Sequence, residues 1–252
     1  NCIYVGSRNT RVLIDCGLSG REAARRLTEA GVAPDTIDAI VVSHEHQDHV
    51  SGVRVFSKRH RAAVYANRKT IAAAGGFYGV EDRIVEFTNG RPFTAGDIAF
   101  EPFSIPHDAA DPAGFRISCG GCSLALVTDL GHVTTLVRAQ LRDLDALILE
   151  SNHDVKMLYE CSYPWEVKQR INGSTGHLSN NSAAALVEEI SRTGESRLRY
   201  AVAAHLSENS NTPELALCGF RQAWERGGST ALPQFFAGCA QEASSMYSLS
   251  IP

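Results

Sequence analysis

The chain has 252 residues, of which 44% are apolar and 21% charged, and this ordinary globular composition excludes a disordered or low-complexity protein. Its net charge of −4 excludes a global basic field, so a bound polyanion would need local basic residues or metal ions. No apolar run reaches the roughly 18 residues of a membrane span, and no secretion signal opens the sequence. Seven cysteines, an odd number, then favour reduced thiols and a cytoplasmic protein.

Short β-branched strands alternate with amphipathic stretches without a linker or repeat, which predicts a single α/β domain over residues 1–252. The predicted strands are 2–5, 11–14, 39–43, 63–66, 98–105, a hairpin around Gly120-Gly121 ending at Thr128, 146–149, 198–204 and an edge strand within 246–251. The predicted helices are 19–31 with a capping box, 51–60, 68–74, 133–141, 182–192 and 212–226. Cys119 and Cys122 flank the glycine pair, and we interpret this C-x-x-C as a hairpin turn.

Six predicted strands run apolar and then stop at an acid or a histidine. The residues at these ends are Asp15, His44, His107, Asp129, Glu150 and His205. If the strands lie side by side, their carboxyl ends gather these side chains along one edge. Clustered imidazole and carboxylate groups there predict a metal or acid–base site.

The most specific local motif is H-x-H-x-D-H, which runs from His44 to His49. In extended backbone, residues two apart share a face, so His44 and His46 can ligate one ion together. Asp48 and His49 follow where the chain turns into a helix, and they point to a neighbouring position. Imidazole and carboxylate suit zinc, manganese or iron. Four ligands within six residues exceed what one open catalytic ion needs, which predicts two ions.

The motif after an apolar strand, with the later His107, Asp129 and His205, resembles the metallo-β-lactamase superfamily of dinuclear hydrolases. The resemblance implies an α/β fold that is a four-layer αββα sandwich, with two mixed sheets flanked by helices. It also implies that His44, His46 and His107 hold a first metal, that Asp48, His49 and His205 hold a second, and that Asp129 bridges them. Asp15 matches the first motif of the superfamily, whose aspartate supports the site through hydrogen bonds.

Longer segments are similar to the bacterial YycJ/WalJ family. They are Glu150-Ser151-Asn152-His153-Asp154, Tyr163-Pro164-Trp165, Gly176-His177-Leu178-Ser179-Asn180 and Ala204-His205-Leu206-Ser207, with Asn1-Cys2 and Leu13-Ile14-Asp15-Cys16-Gly17 near the start. The likeness runs nearly end to end and implies a 5′ to 3′ DNA exonuclease linked to repair. Two divalent ions, manganese or zinc, would share a hydroxide as the nucleophile.

Two residues are predicted to take part in the chemistry beyond simple metal binding. Asp48 could orient the attacking hydroxide as well as bind metal. His177 lies in a segment that resembles the catalytic histidine of the tRNA 3′-processing branch, which predicts a general acid whose carboxylate partner stays open. A histidine that satisfies backbone groups at a helix start is the alternative. His153 is a candidate support residue.

Predicted substrate contacts rest on weaker patterns. Arg54, Lys58 and Arg59 could contact backbone phosphates, or they could form a solvated helix face. Trp165 could stack on bases, or it could anchor a packed loop. Asn180 completes the predicted set.

Two other classes of function stay open, namely a hydrolase of thioesters, lactones or β-lactams and an RNA-processing nuclease. An aspartate at position 129 goes against the commonest zinc β-lactamase pattern. The stretch between Asp129 and His205 is too short for the extra domain of the β-CASP nucleases. The resemblance to the YycJ/WalJ family implies DNA rather than RNA as the substrate and partner, and no membrane interaction is predicted.

Overall fold

The computed structural model describes residues 1–77, 79–192 and 196–249. Within them the strands are β1 (Ile3–Gly6), β2 (Arg11–Ile14), β3 (Ala39–Val41), β4 (Ala63–Asn67), β5 (Ile84–Phe87), β6 (Phe93–Ala95), β7 (Ile98–Ser104), β8 (Ala113–Cys119), β9 (Cys122–Val127), β10 (Ala146–Glu150), β11 (Tyr200–Ala204) and β12 (Gln234–Ala237). The α-helices are α1 (Gly20–Glu29), α2 (Gln47–Val50), α3 (Val53–His60), α4 (Arg68–Ala73), α5 (Thr135–Gln140), α6 (Val155–Glu160), α7 (Trp165–Ile171), α8 (Asn180–Ser191) and α9 (Pro213–Gly227). None of the helices in these residues is both long and apolar enough to cross a membrane.

These residues divide into two compact units, which we describe separately. Unit 1 comprises Asn1–Ser104, Ala109–Ala113 and Ala240–Ser248. Unit 2 comprises Ile105–Asp108, Gly114–Cys239 and Leu249.

Unit 1 is built on a mixed sheet with the strand order β1-β2-β3-β4-β5. The first two strands form an antiparallel hairpin, and the three pairings that follow are parallel. β2 and β3 are almost wholly apolar and buried, as expected for central parallel strands. Because β2 and β3 are adjacent and parallel, their carboxyl ends meet, and the backbone N–H of Asp15 donates to the carbonyl of Val41 at 2.9 Å.

The helices of unit 1 cover this sheet. α1 begins after Ser19, whose hydroxyl accepts a hydrogen bond from the backbone N–H of Glu22 at 3.2 Å, so the predicted N-cap is confirmed. α1 packs against α3, and their apolar faces place Leu27 and Phe56 in the core of the unit. This core holds β2 and β3 in place, and the chain segments that follow them carry Asp15 and the motif that begins at His44.

Unit 2 contains the strand order β12-β11-β10-β9-β8, in which only β8 and β9 pair antiparallel. The hairpin between them turns at Gly120 and Gly121, both with positive φ, and Cys119 lies opposite Cys122. The interpretation of the C-x-x-C as a turn is therefore confirmed. The parallel strands β9, β10 and β11 end side by side, and α8 and α9 pack together with α9 over β11 and β12.

Several predicted elements differ from those observed. The predicted edge strand is wrong for residues 246–249, where Met246 and Tyr247 are exposed outside any strand, and residues 250 and 251 lie outside the described residues. The strand beyond β11 is β12, which the sequence analysis missed. The predicted helix over 51–60 is α3 alone, preceded by the short α2. β5, β6, α6 and α7 were missed because each is too short to show a clear period.

Candidate metal centre

The H-x-H-x-D-H motif brings four donor side chains together in unit 1. The chain leaves β3, bends at Ser43, and then turns into α2, for which His46, in the extended conformation, is the N-cap residue. The rings of His44 and His46 lie 4.6 Å apart and those of His44 and His49 lie 4.0 Å apart, measured between centroids. A carboxylate oxygen of Asp48 is 3.3 Å from Nε2 of His49. Imidazole and carboxylate donors therefore converge within this one segment.

Asp15 orients the buried part of this cluster. Its carboxylate accepts hydrogen bonds from the backbone N–H and the hydroxyl of Ser43, both at 2.8 Å. Nδ1 of His49 lies 2.7 Å from Oδ2 of Asp15, so Nδ1 carries the proton and Nε2 keeps the lone pair that a metal requires. This arrangement fits the support role that the sequence motif implies for Asp15.

Asn1 is a neighbour of the cluster that the sequence analysis did not include. Its side-chain Nδ2 lies 2.9 Å from Nε2 of His49 and 3.2 Å from Oδ2 of Asp48. Gly17 packs against the backbone of Asp48. A Cβ added to Gly17 would lie 1.5 Å from the carbonyl oxygen of Asp48. Only glycine fits there, so the turn that carries Asp48 and His49 is tightly constrained.

Unit 2 contributes a second cluster around Asp129. Its Oδ1 lies 3.4 Å from Nδ1 of His205, 3.6 Å from Nε2 of His107 and 3.7 Å from Nδ1 of His177. Nδ1 of His107 is 3.1 Å from the carbonyl oxygen of Gly176, to which it donates, so Nε2 is the nitrogen that faces Asp129 with its lone pair. Burial lowers the pKa of His107 and keeps its imidazole neutral, which is the form that binds metal.

Glu150, which the sequence analysis placed at the strand-end edge without assigning it a role, links two of these histidines. Its side chain is fully buried, and Oε1 lies 2.9 Å from Nδ1 of His177 and 2.7 Å from Nδ1 of His205. The other oxygen accepts the backbone N–H groups of Leu130 at 2.7 Å and Leu178 at 2.9 Å. Burial alone would raise the pKa of Glu150, but the bonds from the two histidines outweigh it and lower the pKa. Glu150 is therefore an ionised carboxylate that orients both imidazoles.

Three residues at the strand ends share an unusual backbone conformation. Asp15, Asp129 and His205 have φ values of 60°, 58° and 53°. The left-handed region costs a non-glycine residue of order 1–3 kcal/mol and persists where the surroundings hold it. Each of the three follows a strand directly or by one residue, and the side chain of each belongs to one of the two clusters.

Two of the remaining predicted residues, His153 and Asn180, are buried and form hydrogen bonds inside unit 2. His153 is fully buried, and its carbonyl accepts the backbone N–H of Asn180 at 2.8 Å. Asn180 is also buried, and its amide is bonded to Ser151 and Asn211. Because both ends of this amide are used inside the protein, Asn180 differs from the predicted substrate contact and supports the loop instead.

The predicted DNA contacts lie on the surface of their units. Arg54, Lys58 and Arg59 are exposed along α3. Trp165, at the start of α7, is 57% exposed, whereas the hydroxyl of the nearby Tyr163 accepts a hydrogen bond from Asn209 at 2.6 Å. The ring next to Trp165 is that of Tyr159, which the sequence analysis did not consider.

Each cluster is chemically suited to divalent metal ions. Both consist of imidazole and carboxylate groups without a thiolate, a set that zinc, manganese and iron accept. In unit 2, one donor atom each from Asp129, Glu150, His177 and His205 lies within 4.8 Å of the others. In both clusters a buried carboxylate fixes the histidine tautomer, which is the support that metal-binding histidines use.

The fold and these clusters define a class of protein. A family model described as a beta-lactamase superfamily domain matches residues 10–205. The metallo-beta-lactamase fold protein YhfI from Bacillus subtilis superposes with a TM-score of 0.70 at 16% identity, over 94% of this chain and 88% of that one. The predicted α/β class, with two mixed sheets flanked by helices, is therefore confirmed.

Relatives of known name narrow the class further. Exodeoxyribonuclease YycJ of Bacillus anthracis is 36% identical over 230 residues, which cover 90% of this chain and 86% of the relative. Exodeoxyribonuclease WalJ of Streptococcus pneumoniae (strain D39) is 36% identical over 220 residues, covering 86% and 81%. The chain therefore belongs to the beta-lactamase superfamily and, within it, to the YycJ/WalJ family.

Proposed function

We propose that this protein is a metal-dependent exodeoxyribonuclease that removes nucleotides from DNA in the 5′ to 3′ direction during repair. The observation that carries the proposal is 36% identity to exodeoxyribonuclease YycJ over nine-tenths of the chain. The two clusters of imidazole and carboxylate donors support phosphodiester hydrolysis with metal ions. The odd number of cysteines supports a reducing, cytoplasmic setting.

Two divalent ions, manganese or zinc, form part of the proposal. The ligands proposed are His44, His46 and His107 for one ion, Asp48, His49 and His205 for the other, and Asp129 for both. When bound, such ions supply a water-derived nucleophile at neutral pH and neutralise charge on the phosphoryl oxygens. Asp15 and Glu150 hold the tautomers of His49 and His205 that leave Nε2 as the ligand atom.

His177 is the proposed general acid. Its Nδ1 is held by Glu150, which leaves Nε2 as the nitrogen that can deliver a proton to the departing 3′-oxygen of DNA. Asp48, with its side chain 58% exposed, is the proposed group that orients the attacking water. Arg54, Lys58 and Arg59 are the proposed contacts to backbone phosphates.

An activity panel tests the proposed function. The protein reconstituted with manganese or zinc is assayed on 5′-phosphorylated duplex DNA, single-stranded DNA, RNA, a thioester and a β-lactam. We expect release of mononucleotides from DNA, two ions per chain by elemental analysis, and no turnover by Asp129→Ala. Asp143→Ala is the matched control, because Asp143 has a similar φ of 53° but is exposed on a loop. Hydrolysis of the thioester or β-lactam without cleavage of DNA would overturn the proposal.

A further inference from the structure

Two exposed aromatic side chains lie next to each other on the surface of unit 2. Tyr159 at the end of α6 is 46% exposed and Trp165 at the start of α7 is 57% exposed. Their ring centroids are 5.8 Å apart, with the planes inclined at 34°. A tryptophan stabilises a folded protein mainly when it is buried. An exposed tryptophan on a helix therefore leaves a large apolar surface that a ligand can cover.

The aromatic pair is held in place by polar contacts on its inner side. The hydroxyl of Tyr159 accepts a hydrogen bond from the side-chain amide of Asn172 at 3.3 Å. The ammonium group of Lys168 donates to the carbonyl of Tyr159 at 2.8 Å and so ties α7 to α6. α7 has no buried residue, so it contributes to the surface rather than to the core. The pair is thus prearranged, which reduces the entropy lost when a ligand binds.

α7 connects this pair to the segment that carries His177, the proposed general acid. The carbonyl of Ile171, the last residue of the helix, accepts the backbone N–H of His177 at 2.8 Å. The guanidinium of Arg170 bonds to Asp108 at 2.6 Å, immediately after His107. With a rise of 1.5 Å per residue, Trp165 lies about 9 Å along the helix from Ile171. A strand whose terminal phosphodiester reaches His177 would bring a nearby nucleotide to Trp165.

We infer that Trp165, backed by Tyr159, is a stacking platform for an unpaired base of the DNA strand that is being degraded. The inference rests on the proposed function and deepens it by naming the part of the substrate that is bound. Base stacking is favoured over phosphate binding because the nearby cations are largely paired: Lys156 lies 3.9 Å from Glu160, and Arg170 is bonded to Asp108. Stacking on an aromatic face accepts any base, as a non-specific exonuclease requires.

Binding of a fluorescent, 5′-phosphorylated oligothymidylate in EDTA, where no hydrolysis occurs, tests the inference. Trp165→Ala should weaken binding by about 5- to 150-fold, while Trp165→Phe should retain most of the affinity. Val167→Ala, at an exposed position on the same helix, should have no effect. An abasic site placed near the 5′ end, at the nucleotide that stacks on Trp165, should weaken binding to the unaltered protein by the same factor. At that position it should not weaken binding to Trp165→Ala.

Salt dependence separates this contact from the phosphate contacts. The slope of log K against log salt should be unchanged in Trp165→Ala but shallower when Arg54, Lys58 and Arg59 are reversed to Glu. Equal binding by Trp165→Ala and the unaltered protein would overturn the inference, as would a change in oligomeric state without a change in DNA binding. Because the unaltered protein would still degrade DNA, this failure is distinct from failure of the proposed function.

Discussion

The fully buried Glu150 and the partly exposed His177 form a pair in which the Nδ1 atom of the histidine lies 2.9 Å from the Oε1 atom of the carboxylate. The same oxygen lies 2.7 Å from Nδ1 of His205. One carboxylate therefore fixes the tautomer of a proposed metal ligand and of the proposed general acid. The two functions depend on the same charge.

Glu150→Gln should impair both functions while leaving the fold intact. The two backbone N–H groups that bond Oε2 cannot reverse, so the glutamine oxygen must take that position. Its NH₂ group would then face both histidines, which would have to accept at Nδ1 and protonate Nε2. His205 would lose the lone pair that a metal needs, and metal affinity should fall about 10- to 100-fold.

A chelator-competition titration with zinc measures this loss. Glu160→Gln, at an exposed position, is the matched control and should bind zinc normally. Unchanged affinity in Glu150→Gln would contradict the tautomer argument.

His177→Ala should lower the rate on DNA by about 10²- to 10⁴-fold, because the departing 3′-oxygen is strongly basic and needs a proton. A nitrophenolate leaves without protonation, so the rate on bis-nitrophenyl phosphate should change little. The two rates and the metal content are measured on the same preparation. Equal losses on both substrates would indicate phosphoryl binding, and lost metal would indicate that His177 is a ligand or supports one.

The sequence predicted the class of fold and the residues that gather at the strand ends because these signals are local. An apolar strand followed by an acid or histidine can be read without knowing its neighbours, and parallel pairing of β9, β10 and β11 then aligns Asp129, Glu150 and His205. The short elements α6 and α7 carry no such period, so the position of Trp165 beside Tyr159 was not foreseen.

Hydrogen bonds between residues that are far apart in the sequence could not be predicted from it either. Glu150 ends a strand like the others, but nothing in its neighbourhood specifies that one oxygen receives two imidazoles and the other two backbone N–H groups. The left-handed backbone at Asp15, Asp129 and His205 is likewise imposed by packing, since none of these residue types requires it. Asn180 shows the reverse case, because a polar residue in a family-like segment is consumed by a buried network.

Gly17→Ala should disrupt the turn that carries Asp48 and His49. The added Cβ would overlap the carbonyl of Asp48, which is backbone and cannot rotate away, so the turn must shift. We expect a destabilisation of about 2 kcal/mol or more and weaker zinc binding. Urea unfolding of the metal-free protein and zinc titration measure the two effects.

Gly219→Ala provides the contrast for that experiment. Gly219 lies inside α9, where the nearest atom to an added Cβ is 3.8 Å away. The substitution should be neutral or stabilise the protein by up to about 1 kcal/mol through helix propensity. Equal effects of the two substitutions on stability would refute the close approach at Gly17.

The last prediction concerns acid and the buried histidine at position 153. Burial lowers the pKa of His153 below its usual value near 6.5, so the folded protein keeps this ring neutral after the unfolded chain has protonated it. The unfolded state then binds more protons, and stability is lost as the pH falls through about 6.5 and on towards the folded pKa. Above about pH 7.5 neither state is protonated and this contribution is constant.

His153→Gln removes the titrating group but keeps a polar side chain of similar length. The variant should be less stable than the unaltered protein at pH 7.5, and the gap should narrow at pH 5.5. Urea unfolding of both metal-free proteins at the two pH values measures the difference. A gap for His153→Gln that stays constant or widens on acidification would show that the ring is protonated in the folded state.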